Sequence, residues 1–74
     1  MPVHTHILSN IHALLDFNQI PKEKSERIKY FSQMFGLTFE ESQRFLMGEQ
    51  VPNKKLLKEI ADKFEVDPLW LLKN

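Results

Sequence analysis

The chain has 74 residues, the size of one small domain, and we expect residues 1–74 to fold as a single unit. Its 42% hydrophobic and 27% charged residues are typical of a folded globule, and the absence of cysteine excludes disulfides and thiolate metal sites. Ten basic and ten acidic side chains cancel, which counts against a protein that binds nucleic acid or membranes through charge alone. Apolar residues recur at spacings of three and four rather than two, and this predicts an all-α fold.

The first predicted helix covers residues 5–17, and Thr5 is placed to cap its start. Its apolar side chains share one face: Ile7, Leu8, Ile11, Leu14 and Leu15. No Lys or Arg precedes this face, and polar residues interrupt it. The segment is therefore not typical of a signal peptide or a membrane span, and we expect a cytoplasmic protein.

The second and third helices are predicted over residues 22–35 and 39–47. Pro21 disfavours helix at the residue before it, so the second helix begins after it. Gly36 ends that helix because glycine adopts the left-handed conformation without strain. Thr38 and Glu41 have the spacing of a capping box, which predicts the start of the third helix.

Two further helices are predicted over residues 54–64 and 68–73. Asn53 caps the fourth helix and Asp67 the fifth. Pro68 takes the first position of the fifth helix, where proline is tolerated. The sequence thus predicts a compact bundle of five helices.

Helices two and three form a helix-turn-helix pattern. Ser32 leaves room for the third helix to cross the second, and Gly36 allows the turn between them. Unrelated helical hairpins share this pattern, so the downstream sequence decides what it indicates.

The segment GEQVPNKKLLKEIADKFEVDPLWLL, residues 48–72, resembles the second half of lambda repressor-like helix-turn-helix domains. In that family a Gly-Glu after the recognition helix leads to Pro, a Leu-Leu-x-x-Ile-Ala helix, Val and Trp-Leu-Leu. The matching residues here are Gly48, Glu49, Pro52, Leu56, Leu57, Ile60, Ala61, Val66, Trp70, Leu71 and Leu72. The resemblance covers about residues 26–72 and implies a five-helix fold whose third helix reads the DNA major groove.

Two positions depart from the family pattern. Family members commonly carry Gln at the first position of the motif, where it binds a phosphate, and this chain has Ile28. They commonly carry Val or Ile facing the core midway along the recognition helix, and this chain has Ser42. The first departure weakens one phosphate contact. The second favours closer helix approach, with Phe45 and Leu46 filling the space.

Helical spacing places Ser42, Phe45 and Leu46 on the inward face of the third helix. The candidate base contacts are Gln43 and Arg44 first, and then Thr38, Phe39, Glu40 and Met47. Glu40 stands four residues before Arg44, the favoured order for an ion pair, or it accepts from a cytosine amino group. Phe39 either contacts a thymine methyl group or packs back on helix two.

Candidate phosphate contacts flank the third helix: Lys22, Lys24, Lys29, Asn53, Lys54 and Lys55. Helix N-termini present free amides to a phosphate, and neighbouring lysines strengthen the contact. The alternative for each lysine is an ordinary solvated side chain.

The C-terminal stretch PLWLLKN has more apolar residues than so small a domain can bury. In the resembling family the fifth helix commonly forms the dimer contact, which makes Leu69, Trp70 and Leu72 candidate dimer contacts. The alternative is closure of the core, to which Trp70 contributes in part.

The resemblance therefore implies a small transcriptional regulator, a repressor that binds double-stranded DNA as a homodimer, with no membrane partner and no small-molecule substrate. The alternative is a protein-interaction module on the same scaffold, an antitoxin-like or antirepressor partner. The neutral charge, Ile28 and the two glutamates of helix three favour that alternative.

The three histidines lack metal-site spacing and no nucleophile–base arrangement occurs, so no metal, cofactor or catalytic residue is expected.

Overall fold

The computed structural model describes residues 4–73, with side chains from residue 6 onward. These residues form four α-helices, α1 (His4–Phe17), α2 (Lys24–Phe35), α3 (Phe39–Leu46) and α4 (Lys54–Lys63), followed by a 3₁₀ helix (Pro68–Leu72). Within residues 4–73 there is no β-strand. The predicted all-α class is confirmed, and the fold measures 26 × 25 × 21 Å. None of the helices in the described range is both long and apolar enough to span a bilayer.

The first two helices differ from the prediction at their starts and agree with it at their ends. The first helix begins at His4, so Thr5 lies inside it rather than capping it, and the Thr5 side chain is outside the described residues. The second helix begins at Lys24 rather than at residue 22. The reason is Glu23, which has extended backbone and whose side chain accepts hydrogen bonds from the amides of Ser25 and Glu26.

The last three helices end earlier than predicted. Helix α3 ends at Leu46 and α4 at Lys63, each one residue short of the prediction. The fifth element is a 3₁₀ helix that ends at Leu72, so the prediction of a fifth α-helix over residues 68–73 was wrong. Five residues are a length at which the tighter 3₁₀ turn is common.

Every element contributes to one hydrophobic core. The buried apolar residues are Ile7, Ile11, Leu14, Leu15, Ile28, Phe31, Phe45, Leu46, Leu56, Ile60, Ala61 and Leu71. The predicted inward face of α3 is confirmed, since Ser42, Phe45 and Leu46 are all buried. The opposite face of α3 is consequently directed away from the core.

The C-terminal segment is fixed to the first helix through one side chain. The Nδ2 group of Asn10 donates to the carbonyl oxygens of Trp70, Leu71 and Lys73 at 3.3, 2.9 and 2.8 Å. Leu71 is fully buried between these contacts. The 3₁₀ helix therefore closes the core from the side of α1 and α4.

Candidate nucleic-acid interface

The turn between α2 and α3 depends on Gly36. Its φ of 64° and ψ of 35° are left-handed, as predicted, and its N–H donates to the carbonyl of Ser32. The N–H of Leu37 donates to the same carbonyl at 3.0 Å. These two hydrogen bonds close α2 and redirect the chain, so that α3 begins only three residues later.

The start of α3 is a capping box, as predicted. The amide of Glu41 donates to Oγ1 of Thr38 at 3.0 Å, and the amide of Thr38 donates to Oε1 of Glu41 at 3.0 Å. The hydrogen bond from the Thr38 amide lowers the pKa of Glu41. This carboxylate therefore stabilises the positive end of α3 instead of projecting toward a ligand.

The outer face of α3 is solvent-accessible along its length. Phe39 and Met47 are 48% and 45% exposed, Arg44 is exposed and Gln43 is partly exposed. Glu40 is exposed as well. A large part of the Phe39 ring is thus available for contact, although packing against α2 was the other interpretation of this residue.

The predicted ion pair between Glu40 and Arg44 is not formed. Among residues 6–73 the ion pair that the structure contains joins Arg27 to Asp16. Two long exposed side chains lose rotamer freedom when they form an ion pair, and the electrostatic free energy that such a pair gains at the protein surface is small. Arg44 consequently has no carboxylate partner to displace before it contacts another group.

The candidate phosphate contacts are all exposed but do not line one common cleft. Lys22 and Lys24 line a cleft of about 140 Å³ that also contains Met47, directly after α3. Asn53 caps α4, and its Oδ1 accepts from the amide of Leu56 at 2.8 Å. Lys54 lies in a different groove beside the 3₁₀ helix.

Lys29 and Lys55 are exposed on the middle of α2 and in the first turn of α4. The described contacts assign neither of them to the outer face of α3. The structure therefore brings Lys22 and Lys24 to the end of that face, and the remaining lysines stay individual predictions.

A buried polar network next to this face was not predicted. Arg27 is only 6% exposed, and its Nη2 donates to Oδ1 of Asp16 at 2.6 Å. Its Nη1 lies 3.0 Å from Nδ1 of His12, and the opposite ring nitrogen of His12 lies 3.0 Å from the carbonyl oxygen of Leu46. The network joins α1 and α2 to the last residue of α3.

The candidate dimer contacts differ in exposure. Leu69 and Leu72 are 67% and 47% exposed and line an apolar groove of about 280 Å³ beside α4. Trp70 is partly buried and packs against the core, as expected for its share in core closure. Of the three candidate dimer contacts, the two leucines therefore supply most of the exposed apolar surface.

Comparison of the chain with protein-family models, with curated proteins and with solved structures gave no match. The lambda repressor-like family thus stays a resemblance based on the residues within 26–72. The outer face of α3 and its surroundings are the basis on which a function is proposed.

Proposed function

We propose that this chain is a sequence-specific DNA-binding protein of the lambda repressor-like helix-turn-helix type, acting as a small transcriptional repressor in the cytoplasm. Helix α2, the turn at Gly36 and α3 form the motif, and the 3₁₀ helix takes the place of the fifth helix of that family. The observation that carries the proposal is the outer face of α3, where Gln43 and Arg44 are accessible while the opposite face is buried.

An α-helix such as α3 can enter a major groove. Its diameter with side chains is about 10–12 Å, and the major groove of B-DNA is about 12 Å wide. Arg44 contacts guanine in this proposal, and Gln43 contacts adenine, because these pairings allow two hydrogen bonds each. Thr38, Phe39, Glu40 and Met47 are the secondary candidates.

The two glutamates of α3 are compatible with this role for separate reasons. Glu41 is held in the capping box and compensates the helix dipole. Glu40 is free to accept a hydrogen bond from a cytosine amino group. Lys22 and Lys24, beside Met47, supply positive charge at the other end of the helix.

The test begins with selection of bound sequences from a pool of random duplexes, followed by titration of the selected duplex. We expect the logarithm of the binding constant to fall with the logarithm of the salt concentration with a slope of about −5, for about six neutralised phosphates per dimer. Arg44→Ala is expected to weaken binding to the selected duplex by about 5- to 150-fold, equivalent to about 1–3 kcal/mol.

Lys63→Ala is the matched control for Arg44→Ala. Lys63 is the last residue of α4 and is exposed. Its replacement by Ala removes one positive charge from the domain, as Arg44→Ala does. A control that weakens binding as much as Arg44→Ala would show that only the overall charge matters. Absence of salt-sensitive binding to any duplex contradicts the proposal.

A protein-interaction module, such as an antitoxin-like or antirepressor partner, is the second candidate. The specific observation in its favour is that Phe39 at the start of α3 and Met47 directly after its end are both about half exposed, and the unpaired carboxylate of Glu40 lies on the same helix. Aromatic residues and Met are enriched in protein interfaces. The duplex titration separates the two functions, because this candidate predicts no salt-sensitive duplex binding.

A further inference from the structure

The hydrogen bonds of His12 define which ring nitrogen carries the proton. The carbonyl oxygen of Leu46 can only accept, so Nε2 of His12, 3.0 Å away, is the donor. Nη1 of Arg27 can only donate, so Nδ1 of His12, 3.0 Å away, is the acceptor. The arrangement therefore requires a neutral imidazole with its hydrogen on Nε2.

The acceptor that His12 contacts is the last carbonyl of α3. Carbonyls at a helix end have no partner within the helix, so a side chain from elsewhere satisfies this one. Arg27 in turn donates to the carbonyls of Ile20 and Pro21, each at 2.9 Å, in the connection between α1 and α2. Among the side chains that the structure describes, His12 is the one whose hydrogen bonds link this network to the end of α3.

We propose that His12 is a positioning residue for α3 and that protonation of its ring releases the end of α3, so that DNA binding weakens on acidification. The inference rests on the proposed function.

The physical reason is the environment of Nδ1. A proton added there faces the Nη1–H of Arg27, so a donor meets a donor and two cations stand about 3 Å apart. Lys22 and Lys24, from the connection and from α2, line the same cleft and add positive charge. Asp16, one turn along α1, is already hydrogen-bonded to Arg27.

From α3 and the residue directly after it, the groups that face His12 are the Leu46 carbonyl and the uncharged side chain of Met47. No carboxylate from α3 therefore compensates a charged imidazole at this position. The ring is expected to leave its place between Arg27 and Leu46 when it is protonated, and the end of α3 loses its tie to α1.

The first experiment compares wild type with His12→Gln between pH 8 and pH 5.5 at constant ionic strength. The amide of Gln offers one donor and one acceptor and does not titrate. We expect wild type to lose about tenfold in affinity for the selected duplex, the effect of one lost hydrogen bond involving a charged group. His12→Gln is expected to change by less than about twofold over the same range.

His6→Gln is the matched control, because His6 is the same residue type on the same helix and takes part in none of the hydrogen bonds of this network. It is expected to follow wild type. The proposal is overturned if His12→Gln loses affinity as wild type does, or if wild type binds equally at both pH values.

The second experiment needs no DNA and no variant. Nitrogen-15 shifts of the His12 ring in the free protein are expected to show the Nε2–H form at pH 7.5, and the amide signal of Met47 is expected to move as the ring titrates. The Nδ1–H form, or an unchanged Met47 signal, overturns the proposal. If no duplex is bound at any pH, the proposed function fails, while this measurement still decides the role of His12.

Discussion

Nη2 of Arg27 lies 2.6 Å from Oδ1 of Asp16, and the two side chains differ in their access to water: 7% of the first and 46% of the second is exposed. Because the carboxylate stays partly solvated, its contact with the guanidinium does not require complete desolvation of both charges. The other donors of Arg27 reach the carbonyls of Ile20 and Pro21 and the ring of His12. One side chain therefore contacts acceptors from two segments, α1 and the connection between α1 and α2.

Replacement of Arg27 by Met is expected to lower the free energy of unfolding by about 2–4 kcal/mol, because several part-buried acceptors lose their donor. Arg27→Lys is expected to recover only part of this loss, since one ammonium group cannot reproduce the planar fork of donors. Urea unfolding measures both values.

Lys29→Met is the control for the Arg27 variants. Lys29 is exposed on the same helix, and its replacement is expected to change the free energy of unfolding by less than about 0.5 kcal/mol. Equal stability of Arg27→Met and Lys29→Met would show that the network does not stabilise the fold.

Acid is expected to destabilise the protein through carboxylates that are hydrogen-bonded in the folded state. The hydrogen bond from Arg27 lowers the pKa of Asp16, the Ser25 hydroxyl lowers the pKa of Glu23, and the Thr38 amide lowers the pKa of Glu41. A lowered folded-state pKa stabilises the fold above the ordinary values of 3.8 for Asp and 4.5 for Glu. That stabilisation is lost as the pH falls through the lower folded-state values.

The measurement is the midpoint of thermal unfolding between pH 7 and pH 3. Wild type is expected to lose stability below about pH 4.5, and Glu41→Gln to lose less over the same interval, because its amide does not titrate. An identical pH dependence for the two proteins would contradict a contribution from the capping box.

Local signals explain what could be predicted from the sequence. The caps of α3, α4 and the 3₁₀ helix involve side chains that contact amides two or three residues away, so Thr38, Asn53 and Asp67 were visible as caps. The buried and outer faces of α3 follow from helical spacing alone. The predicted type of the last helix was wrong because 3₁₀ and α-helical geometry differ little over five residues.

The network around Arg27 could not be predicted from local spacing, because its partners come from α1, from the connection and from α3. A partial signal was present. Arg27 stands four residues before the buried Phe31, and His12 stands three residues before the buried Leu15, so each polar residue lies on an apolar stripe. Polar residues at such positions are expected to form buried networks, although the sequence does not identify the partners.

Ser42 is fully buried in α3, and its hydroxyl oxygen is among the buried polar atoms of residues 6–73 without a hydrogen-bond partner. An unpaired buried hydroxyl is destabilising. Ser42→Ala is therefore expected to raise the free energy of unfolding by about 1 kcal/mol, as measured by urea unfolding.

Ser42→Val tests how much room surrounds the same position. The family that the sequence resembles commonly has Val or Ile there, but Ser42 is fully buried, and Val would replace its hydroxyl with two methyl groups and so add volume to a closed site. We expect Ser42→Val to lower the free energy of unfolding by about 1–3 kcal/mol. A stabilised Val variant would show that α3 can move away from the core without a loss of stability.

Leu69 and Leu72 are expected to hold two copies of the chain together when DNA is bound. Both are exposed and adjoin the apolar groove beside α4, whereas Trp70 is partly committed to the core. A two-fold dimer reads half-sites about 34 Å apart, so loss of the dimer weakens binding to a site with two half-sites. Replacing both leucines by Glu is expected to give a monomer with wild-type thermal stability.

Sedimentation at tens of micromolar protein, with and without the selected duplex, tests this dimer. Phe17→Ser is the matched control, because Phe17 is 86% exposed at the end of α1 and its loss removes a comparable apolar side chain from another surface. The control is expected to sediment as wild type does. Wild type that remains monomeric in both conditions would show that these leucines do not form a homodimer.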